Sequence, residues 1–570
     1  MNKIPALIVA VNWSAIFPSR SLELLNSEPL LSHVVNRLRK MKYVSHIALC
    51  TSIEENDDTL VEEAIKNDID IIRGDFSNVA SRLLKAYDYY NCSEAFLARG
   101  DAPFVSFTEG DKLIKSHLDT KAEFSYNEYI YGLPYGLGGE VIAKELLFKM
   151  KELQLSDSYS QKISLFIRLN EGKFKTNKLK FKKPDSDVSF AVESYQGLDF
   201  ARELFALAKE NATPIMLLNT LEKHPFLKSI NKPSITTKEI GLEKIVLFPE
   251  KLRSLISGNK NNSYPVSIEL SLTNKCNLAC RWCSDNELRG AHPGALSYDI
   301  YKNLIDDFAE HGVNGIVIEG GGEPTIYPHF NSAVEYALSK KLAVGLITNG
   351  VEFNYSQLVN QMEWIRVSLD ADTPSTFKEW KGKDSFHDVL SNIRRMCELK
   401  GNCVVGVGYV VTKYNIEHIE EVTLLLREYG VDYLYLRPVI DHPEMQLSQK
   451  LTFLKKFESD AFTVMIHAMN ENMITGNNGL PCKAHSLSSV ISGDGAVFLC
   501  GRLNIHDEIK PIGNINESSF YDIWNGKERA RQIQQVADYE FCKEWCPECR
   551  MTKYNILLSK TEKIRTRNFI

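Results

Sequence analysis

Eight of the chain's twelve cysteines stand in two groups, and their spacing is the first sign of chemistry. Three lie in the phrase SLTNKCNLACRWCSD as Cys276-x3-Cys280-x2-Cys283, and five follow later as Cys482, Cys500, Cys542, Cys546 and Cys549. Thiolates suit iron and zinc, and a compact loop can wrap three of them around one face of a metal cluster. A four-iron cluster held by three cysteines leaves one iron open to a ligand from outside the protein. A zinc knuckle would want a fourth nearby ligand, for which His292 is the candidate, and cysteines also pack as small hydrophobes. Cys50, Cys92, Cys397 and Cys403 are scattered. In a large chain without export features, grouped cysteines point to metal ligation rather than disulfides.

The elements that must position these groups can be read from periodicity. Cys276 follows a strand-like run, PVSIELSLT, which opens an alternating series: GIVIEGG, LAVGLITNG, WIRVSLDA, CVVGVGYVVT and YLYLRP. Amphipathic helices fall around 298–311, 329–340, 385–399 and 416–429. Six β/α units over residues 264–445 predict a partial barrel, open on one side, with chemistry at the C-terminal strand ends. The second strand ends in Gly320-Gly321-Gly322-Glu323-Pro324, where glycine admits close backbone approach and the carboxylate can receive an ammonium. Thr348-Asn349-Gly350 ends the third strand, Ser368-Leu369-Asp370 the fourth and Leu436-Arg437-Pro438 the sixth. Taken singly, an Asn-Gly is a turn and a terminal Asp a helix cap. Asp441, His442 and Glu444 are acid–base candidates at the barrel mouth, in a polar loop that needs no catalytic explanation. Cys403, at the start of strand five, and Cys542 are conceivable hydrogen-donating thiols, with core packing the plainer role for Cys403.

Outside the barrel, residues 1–210 alternate strand-like ALIVAV, HIALCTS, DIDIIRGD and AFLARGD with helical stretches, which predicts an α/β layer with a largely parallel sheet. Residues 211–263 read as a linker, 446–480 as a bridging helical segment and 481–570 as a cysteine-rich cap. A chain of 570 residues is too long for one core. Its 44% hydrophobic and 25% charged residues are ordinary globular composition. With a net charge of -6 and no basic tract, nothing suggests a nucleic-acid partner. The start, MNKIPALIVAVNW, reads as a buried strand rather than a signal peptide, and no apolar run reaches the roughly 18–20 residues that span a bilayer. The expectation is a cytoplasmic protein without a membrane partner. The sequence carries no sign of its oligomeric state.

The Cys276–Cys283 loop, with Trp282 in the aromatic place, resembles that of the radical S-adenosylmethionine (SAM) superfamily, and Gly320–Pro324 is similar to its GGEP motif. The resemblance implies that Cys276, Cys280 and Cys283 hold a [4Fe–4S] cluster whose open iron binds the amino and carboxylate groups of SAM. It implies that Gly321, Gly322, Glu323 and Pro324 meet the SAM amino group. Asn349, Ser368, Asp370 and Arg437 then belong to the SAM-binding strand ends, and a flavodoxin- or ferredoxin-type protein supplies the electron. The second cysteine group resembles the SPASM or shorter twitch extension, which carries auxiliary [4Fe–4S] clusters. Five cysteines ligate one cluster, not two. The implied set is Cys482, Cys500, Cys546 and Cys549, with Cys542 as alternate, and a structural zinc ribbon remains the other reading. An auxiliary cluster can take an electron from a substrate radical or bind the substrate itself.

Residues 1–210 resemble the cytidylyltransferase-like group of nucleotide-sugar enzymes, including the spore-coat polysaccharide type. The resemblance rests on the strand Ala6–Val11, the loop ending Phe17-Pro18-Ser19-Arg20, the run Glu28-Pro29-Leu30-Leu31, and Arg99-Gly100-Asp101-Ala102-Pro103. It implies that Asp101 can hold Mg²⁺ against nucleotide phosphates. The chain departs where chemistry would be done. Val11–Ile16 has no glycine and no cation, only Arg20 occupies the lysine's place, and Glu193 stands where a second metal-binding Asp is expected. Without a basic loop the charges of a triphosphate stay poorly neutralised. The expected role is therefore to bind a nucleotide-linked or sugar-like substrate, or to scaffold. For the whole chain, the expectation is radical dehydrogenation or epimerisation of a carbohydrate or sugar-nucleotide intermediate in surface glycan biosynthesis. A peptide-modifying enzyme and a non-catalytic metal-binding scaffold are the alternatives.

Overall fold

The computed structural model describes residues 3–562 apart from 14–16, 77, 129–131, 153–162, 182–187, 209, 231–241, 258–263, 284–293, 440–441, 448–450, 467–479, 481, 502, 507 and 546–550. The chain forms two compact units, one of Met1–Ile235, Ile416–Leu425 and Gln449–Val464, the other of Thr236–Asn415, Leu426–Ser448 and Met465–Ile570.

The first unit is built on seven strands: β1 (Ile4–Val9), β2 (Val44–Ser52), β3 (Asp70–Gly74), β4 (Glu94–Arg99), β5 (Phe124–Tyr126), β6 (Glu140–Ala143) and β7 (Thr176–Lys178). They lie in the order β3-β2-β1-β4-β6-β5-β7. β1 to β4 pair in parallel, because helices α1 (Leu30–Leu38), α2 (Asp58–Lys66) and α3 (Val79–Tyr89) supply the crossovers. β6 runs antiparallel to both β4 and β5, while β5 and β7 pair in parallel, so the sheet is largely parallel with one antiparallel strand. Among the described residues, no crossover helix separates β5 from β6, and a direct return gives an antiparallel pair. Ala6, Ile8, Leu31, Val34, Val35, Leu38 and Phe96 build one core. A second core joins Phe190 and Phe200 to Leu217, Leu218 and Leu221. The last three come from the helix Pro214–Lys223, in the stretch read from sequence as linker.

The second unit carries β8 (Ser267–Leu270), β9 (Gly315–Ile318), β10 (Ala343–Thr348), β11 (Trp364–Ser368), β12 (Val404–Val411) and β13 (Tyr433–Pro438). Each pairs in parallel with the next. Helices α4 (Tyr298–Glu310), α5 (Phe330–Ser339), α6 (Pro374–Lys381) and α7 (Phe386–Leu399) alternate with them. α4 shows why: the Ser297 side chain accepts from Ile300 N and caps its start, and Tyr301, Leu304, Ile305 and Phe308 form its buried stripe. Beyond β8 the sheet continues. β14 (Thr463–Ile466) lies at the edge beyond β13, and on the other side β15 (Ser488–Ile491) pairs in parallel with β8. β16 (Ala496–Phe498) then pairs antiparallel with β15, and β17 (Gly513–Asn514) with β16. The hairpin of the cysteine-rich segment is thus part of the barrel sheet. Among the described residues, no helix is long and apolar enough to cross a membrane.

Candidate active site

In a parallel sheet every strand ends on the same side, and the loop after each end is where residues from distant parts of the chain can meet. The loop after β8 carries Cys276, Cys280 and Cys283, and three sets of contacts place it. Gly322 N donates to Thr273 O at 2.9 Å and Glu323 N to Lys275 O at 2.8 Å, which lays the glycine run of β9 along the cysteine loop. Asn349 Nδ2 donates to Asn277 Oδ1 at 2.7 Å, tying in the end of β10. Ala279 N and Arg281 N donate to Lys381 O and Trp380 O, tying in the last turn of α6. Trp282 stacks on Trp380 with centroids 5.4 Å apart, and Trp380 on Tyr414 at 5.1 Å.

Glycine is required where the two loops touch. A Cβ on Gly322 would stand 1.8 Å from Lys275 O, and one on Gly321, whose φ is +54, would stand 2.1 Å from Asn274 Oδ1. The two carboxylates of the site hold its frame together. Glu323 is 3% exposed. Its Oε1 accepts from Thr325 N, Thr325 Oγ1 and Thr348 Oγ1, and its Oε2 from Asn349 N at 2.7 Å. Burial raises the Glu323 pKa, and these hydrogen bonds pull against that without cancelling it. Asp370, with φ of 51, accepts from Val410 N at 2.7 Å and from Lys381 Nζ at 3.0 Å. Lys381 Nζ also donates to Ser368 O and is almost fully buried. Burial would lower its pKa, but Asp370 and Cys280 outweigh it and the ammonium is stabilised.

Burial pushes Cys280 up to about 11, Lys381 works against this, and Asp370, Cys283 and Cys276 add to it, so the three thiols are electrostatic neighbours. Among the described residues, no group of three His, Cys, Asp or Glu side chains is placed to hold a single metal ion. Cofactor donors remain as well: the Asn277 Nδ2 atom is buried without a partner. Arg437 stands exposed at the end of β13, with no ion-pair partner among the described residues.

Several expectations need correction or relocation. Cys403 precedes β12, at the end of the strand opposite the cysteine loop. It is 3% exposed, burial pushes its thiol up to about 12, and it packs at that far end of the strand. Eight residues of strand, roughly 3.3 Å each, separate it from the mouth. His442 lies in the loop after β13, with Nδ1 3.2 Å from Glu444 Oε1. Asp441 lies outside the described residues, as do Cys546, Cys549 and His292. Cys482 and Cys500 are half-buried on either side of the β15–β16 hairpin. Cys542 is 1% exposed and its Sγ donates to Val536 O at 3.2 Å. Lys381 was missed in the sequence; the signal was a lysine directly before Gly382, which ends α6 with φ of 79.

In the first unit, Asp101 sits in the turn after β4, and its carboxylate is already claimed. Oδ2 accepts from Arg20 Nε at 2.6 Å, and Arg99 donates Nε to Oδ1 at 2.9 Å and a second nitrogen to Oδ2 at 3.1 Å. Glu193 Oε1 accepts from Arg99 at 2.7 Å and from the Tyr135 hydroxyl at 3.0 Å. Magnesium demands oxygen ligands in near-octahedral geometry, and guanidinium groups at hydrogen-bond distance occupy that space with like charge. The arrangement does not fit a divalent cation.

Comparison with known proteins matches each part of this architecture. Residues 270–426 match the family model of the radical SAM superfamily, 482–550 that of an iron–sulfur cluster-binding domain, and 7–224 that of a cytidylyltransferase. Over 236 residues the chain is 27% identical to the spore coat polysaccharide biosynthesis protein SpsF of Bacillus subtilis, covering 40% of this chain and 96% of that one. Over 299 residues it is 25% identical to the mycofactocin maturase MftC of Mycobacterium tuberculosis, covering 49% and 75%. Among solved structures, a cytidylyltransferase from Leptospira borgpetersenii covers 41% of this chain and 100% of its own, at 21% identity and a TM-score of 0.39. Streptococcus suis SuiB bound to precursor peptide SuiA covers 63% and 87%, at 15% identity and a TM-score of 0.40.

Proposed function

From the premise that the chain is a radical SAM enzyme with an iron–sulfur cluster-binding domain and an N-terminal cytidylyltransferase-type domain, we propose that it dehydrogenates or epimerises a carbohydrate or sugar-nucleotide intermediate. Surface glycan biosynthesis is the setting we infer. The observation that carries this reading is the fusion itself: the N-terminal part is similar to a polysaccharide biosynthesis protein across nearly all of that protein's length. The cofactors are SAM on a [4Fe–4S] cluster and an auxiliary cluster.

When bound, the first cluster and SAM supply a 5′-deoxyadenosyl radical that removes hydrogen from the substrate. The chain's own residues prepare the place. Glu323 and Asp370 lock the ends of β9 to β12 through Thr325, Thr348, Asn349 and Val410. Lys381 holds the end of α6 against the strand ends, and the α6 backbone holds the cysteine loop. In our reading Cys276, Cys280 and Cys283 ligate the first cluster, and Cys482 and Cys500 with Cys546 and Cys549 ligate the auxiliary one. The Asn277 amide is left to donate to SAM, and Arg437 to hold an anionic group of SAM or substrate. A flavodoxin- or ferredoxin-type protein is the proposed reductant.

A second reading, modification of a peptide, has its support in the maturase among the relatives of the barrel. One experiment separates the two. Anaerobically reconstituted and reduced protein is assayed for 5′-deoxyadenosine by mass spectrometry beside Cys276→Ala, first alone, then with deuterated sugars and sugar nucleotides, then with peptides encoded beside the gene. Deuterium entering 5′-deoxyadenosine from a sugar supports the first reading. Transfer from a peptide alone replaces it, and no product from a protein with full iron content removes both.

A further inference from the structure

We propose that the N-terminal unit has lost the metal site of its fold and engages its ligand without a divalent cation, performing no nucleotidyl transfer. This goes beyond the radical chemistry and does not depend on it.

Asp101 lies at the C-terminal end of β4, beside the end of β1, where α/β sheets of this type receive ligands. Each of its oxygens is within hydrogen-bond distance of a guanidinium, and Arg99 bridges on to Glu193. The Arg99 guanidinium is itself pinned, lying 4.4 Å over the ring of Tyr135, whose hydroxyl donates to the same Glu193. Backbone fixes the frame: Val192 N donates to Asp101 O at 2.9 Å, bringing the two acidic segments together. The turn is tight against β1, since a Cβ on Gly100 would stand 2.7 Å from the Ala10 Cβ and 2.9 Å from Ser21 Oγ.

The charges therefore close on themselves. Burial would raise the Asp101 pKa, but Arg99 and Arg20 outweigh it and hold the carboxyl below its usual range. A divalent ion placed against Asp101 would meet both guanidinium groups and would have to break a two-point Arg99 contact to gain one oxygen ligand. The loop that would offset a triphosphate, Val11–Ile16, contains no cation. What the site can take is a ligand recognised by hydrogen bonds and arginine faces, which suits a sugar and not a metal–triphosphate complex.

The test is a Mn²⁺ titration of the reconstituted full chain, read from the EPR signal of the free ion, with wild type beside Asp101→Asn, Arg99→Ala and the Arg99→Ala/Asp101→Asn double variant. Wild type and Asp101→Asn should titrate identically, and neither should release pyrophosphate from CTP above the no-enzyme rate. Arg99→Ala frees Asp101 Oδ1 and removes the guanidinium from Glu193, with Arg20 still on Asp101 Oδ2, and should gain a Mn²⁺ site at least tenfold tighter than any in wild type, lost again in the double variant. A stoichiometric wild-type site that Asp101→Asn removes would overturn the proposal. So would an Arg99→Ala protein with wild-type circular dichroism and no gained site. If Arg99→Ala does not fold, the comparison of wild type with Asp101→Asn decides alone.

Discussion

Replacing Gly322 by alanine should release the cysteine loop from its place, while the same change at Gly320 should not. At Gly322 the added methyl would stand 1.8 Å from Lys275 O, 2.5 Å from Lys275 C and 2.7 Å from Asn274 C, all backbone atoms that cannot rotate away. Reaching ordinary contact, at about 3.5 Å between carbon atoms, means parting the two loops by well over an ångström. That separation removes the Gly322 N to Thr273 O and Glu323 N to Lys275 O bonds. Two hydrogen bonds at about 1 kcal/mol each and an overpacking cost of about 1–3 kcal/mol make a local penalty of about 3–5 kcal/mol. An equilibrium between placed and displaced loop then shifts by at least a hundredfold, since about 1.4 kcal/mol is a factor of ten. Gly320 has nothing within 4 Å of its Cβ position and a φ of +73, so Gly320→Ala carries only the left-handed strain of about 1–2 kcal/mol. Iron and sulfide per chain after anaerobic reconstitution, with 5′-deoxyadenosine yield, read the outcome. Gly322→Ala should lose the SAM-binding cluster and its product with the overall fold retained by circular dichroism, and Gly320→Ala should keep both. Full iron and wild-type product in Gly322→Ala would refute the reasoning, as would a Gly320→Ala protein that is the worse of the two.

Lys381→Met leaves the Asp370 carboxylate buried without its ion-pair partner, which costs about 3–5 kcal/mol; thermal unfolding should show the loss, with partial recovery in Lys381→Arg. Cys482→Ser and Cys500→Ser should each lower iron content while leaving the SAM-binding cluster detectable by EPR. Cys542→Ala, removing a thiol turned to Val536 O, should leave iron content unchanged. Lys251 is pulled down to about 8, by burial first and Arg529 second. Between about pH 8 and the unfolded value of about 10.4 this group binds more proton in the unfolded chain, so its own contribution to stability rises with pH there, while buried thiols such as Cys403 contribute the opposite slope. The difference in denaturant midpoint between wild type and Lys251→Met should shift in favour of wild type as pH rises across that range.

The strand-end motifs were legible because each is local: a strand pattern followed directly by cysteine, glycine or a polar pair. Pairing between distant segments has no such trace. Nothing in SSVI at 488–491 announces that it will lie beside Ser267–Leu270, more than two hundred residues earlier. The same limit hid the Asp101 network. Arg99 and Asp101 are neighbours in sequence, but the reach of Arg20 and Glu193 depends on β1 and β4 being adjacent in the sheet. Cys403 was a matter of direction: a residue that starts a parallel strand is carried away from the mouth. The helix Pro214–Lys223 was legible and overlooked, since Thr213 at its N-cap and Pro214 at its first position are start signals.

The motif residues that look most like ligand-binding groups are the ones the fold has committed to itself, and Glu323 puts that to a test. All four contacts to its carboxylate come from donors, two of them backbone N–H groups on opposite oxygens: Thr325 N at Oε1 and Asn349 N at Oε2. A hydroxyl such as Thr325 Oγ1 can turn to accept, but an N–H cannot. Glu323→Gln therefore has no comfortable orientation, because its NH₂ must face one backbone donor whichever way the amide is placed. The buried mismatch costs about 1–3 kcal/mol, and it falls on the bond that joins the ends of β9 and β10. If Glu323 served mainly as a counter-charge for the SAM ammonium, Glu323→Gln would weaken SAM binding and leave the free protein's stability unchanged. If it serves as the frame, the free protein should unfold at lower temperature without any SAM present. Thermal unfolding of the free protein distinguishes the two, and an unchanged midpoint would return Glu323 to the cofactor.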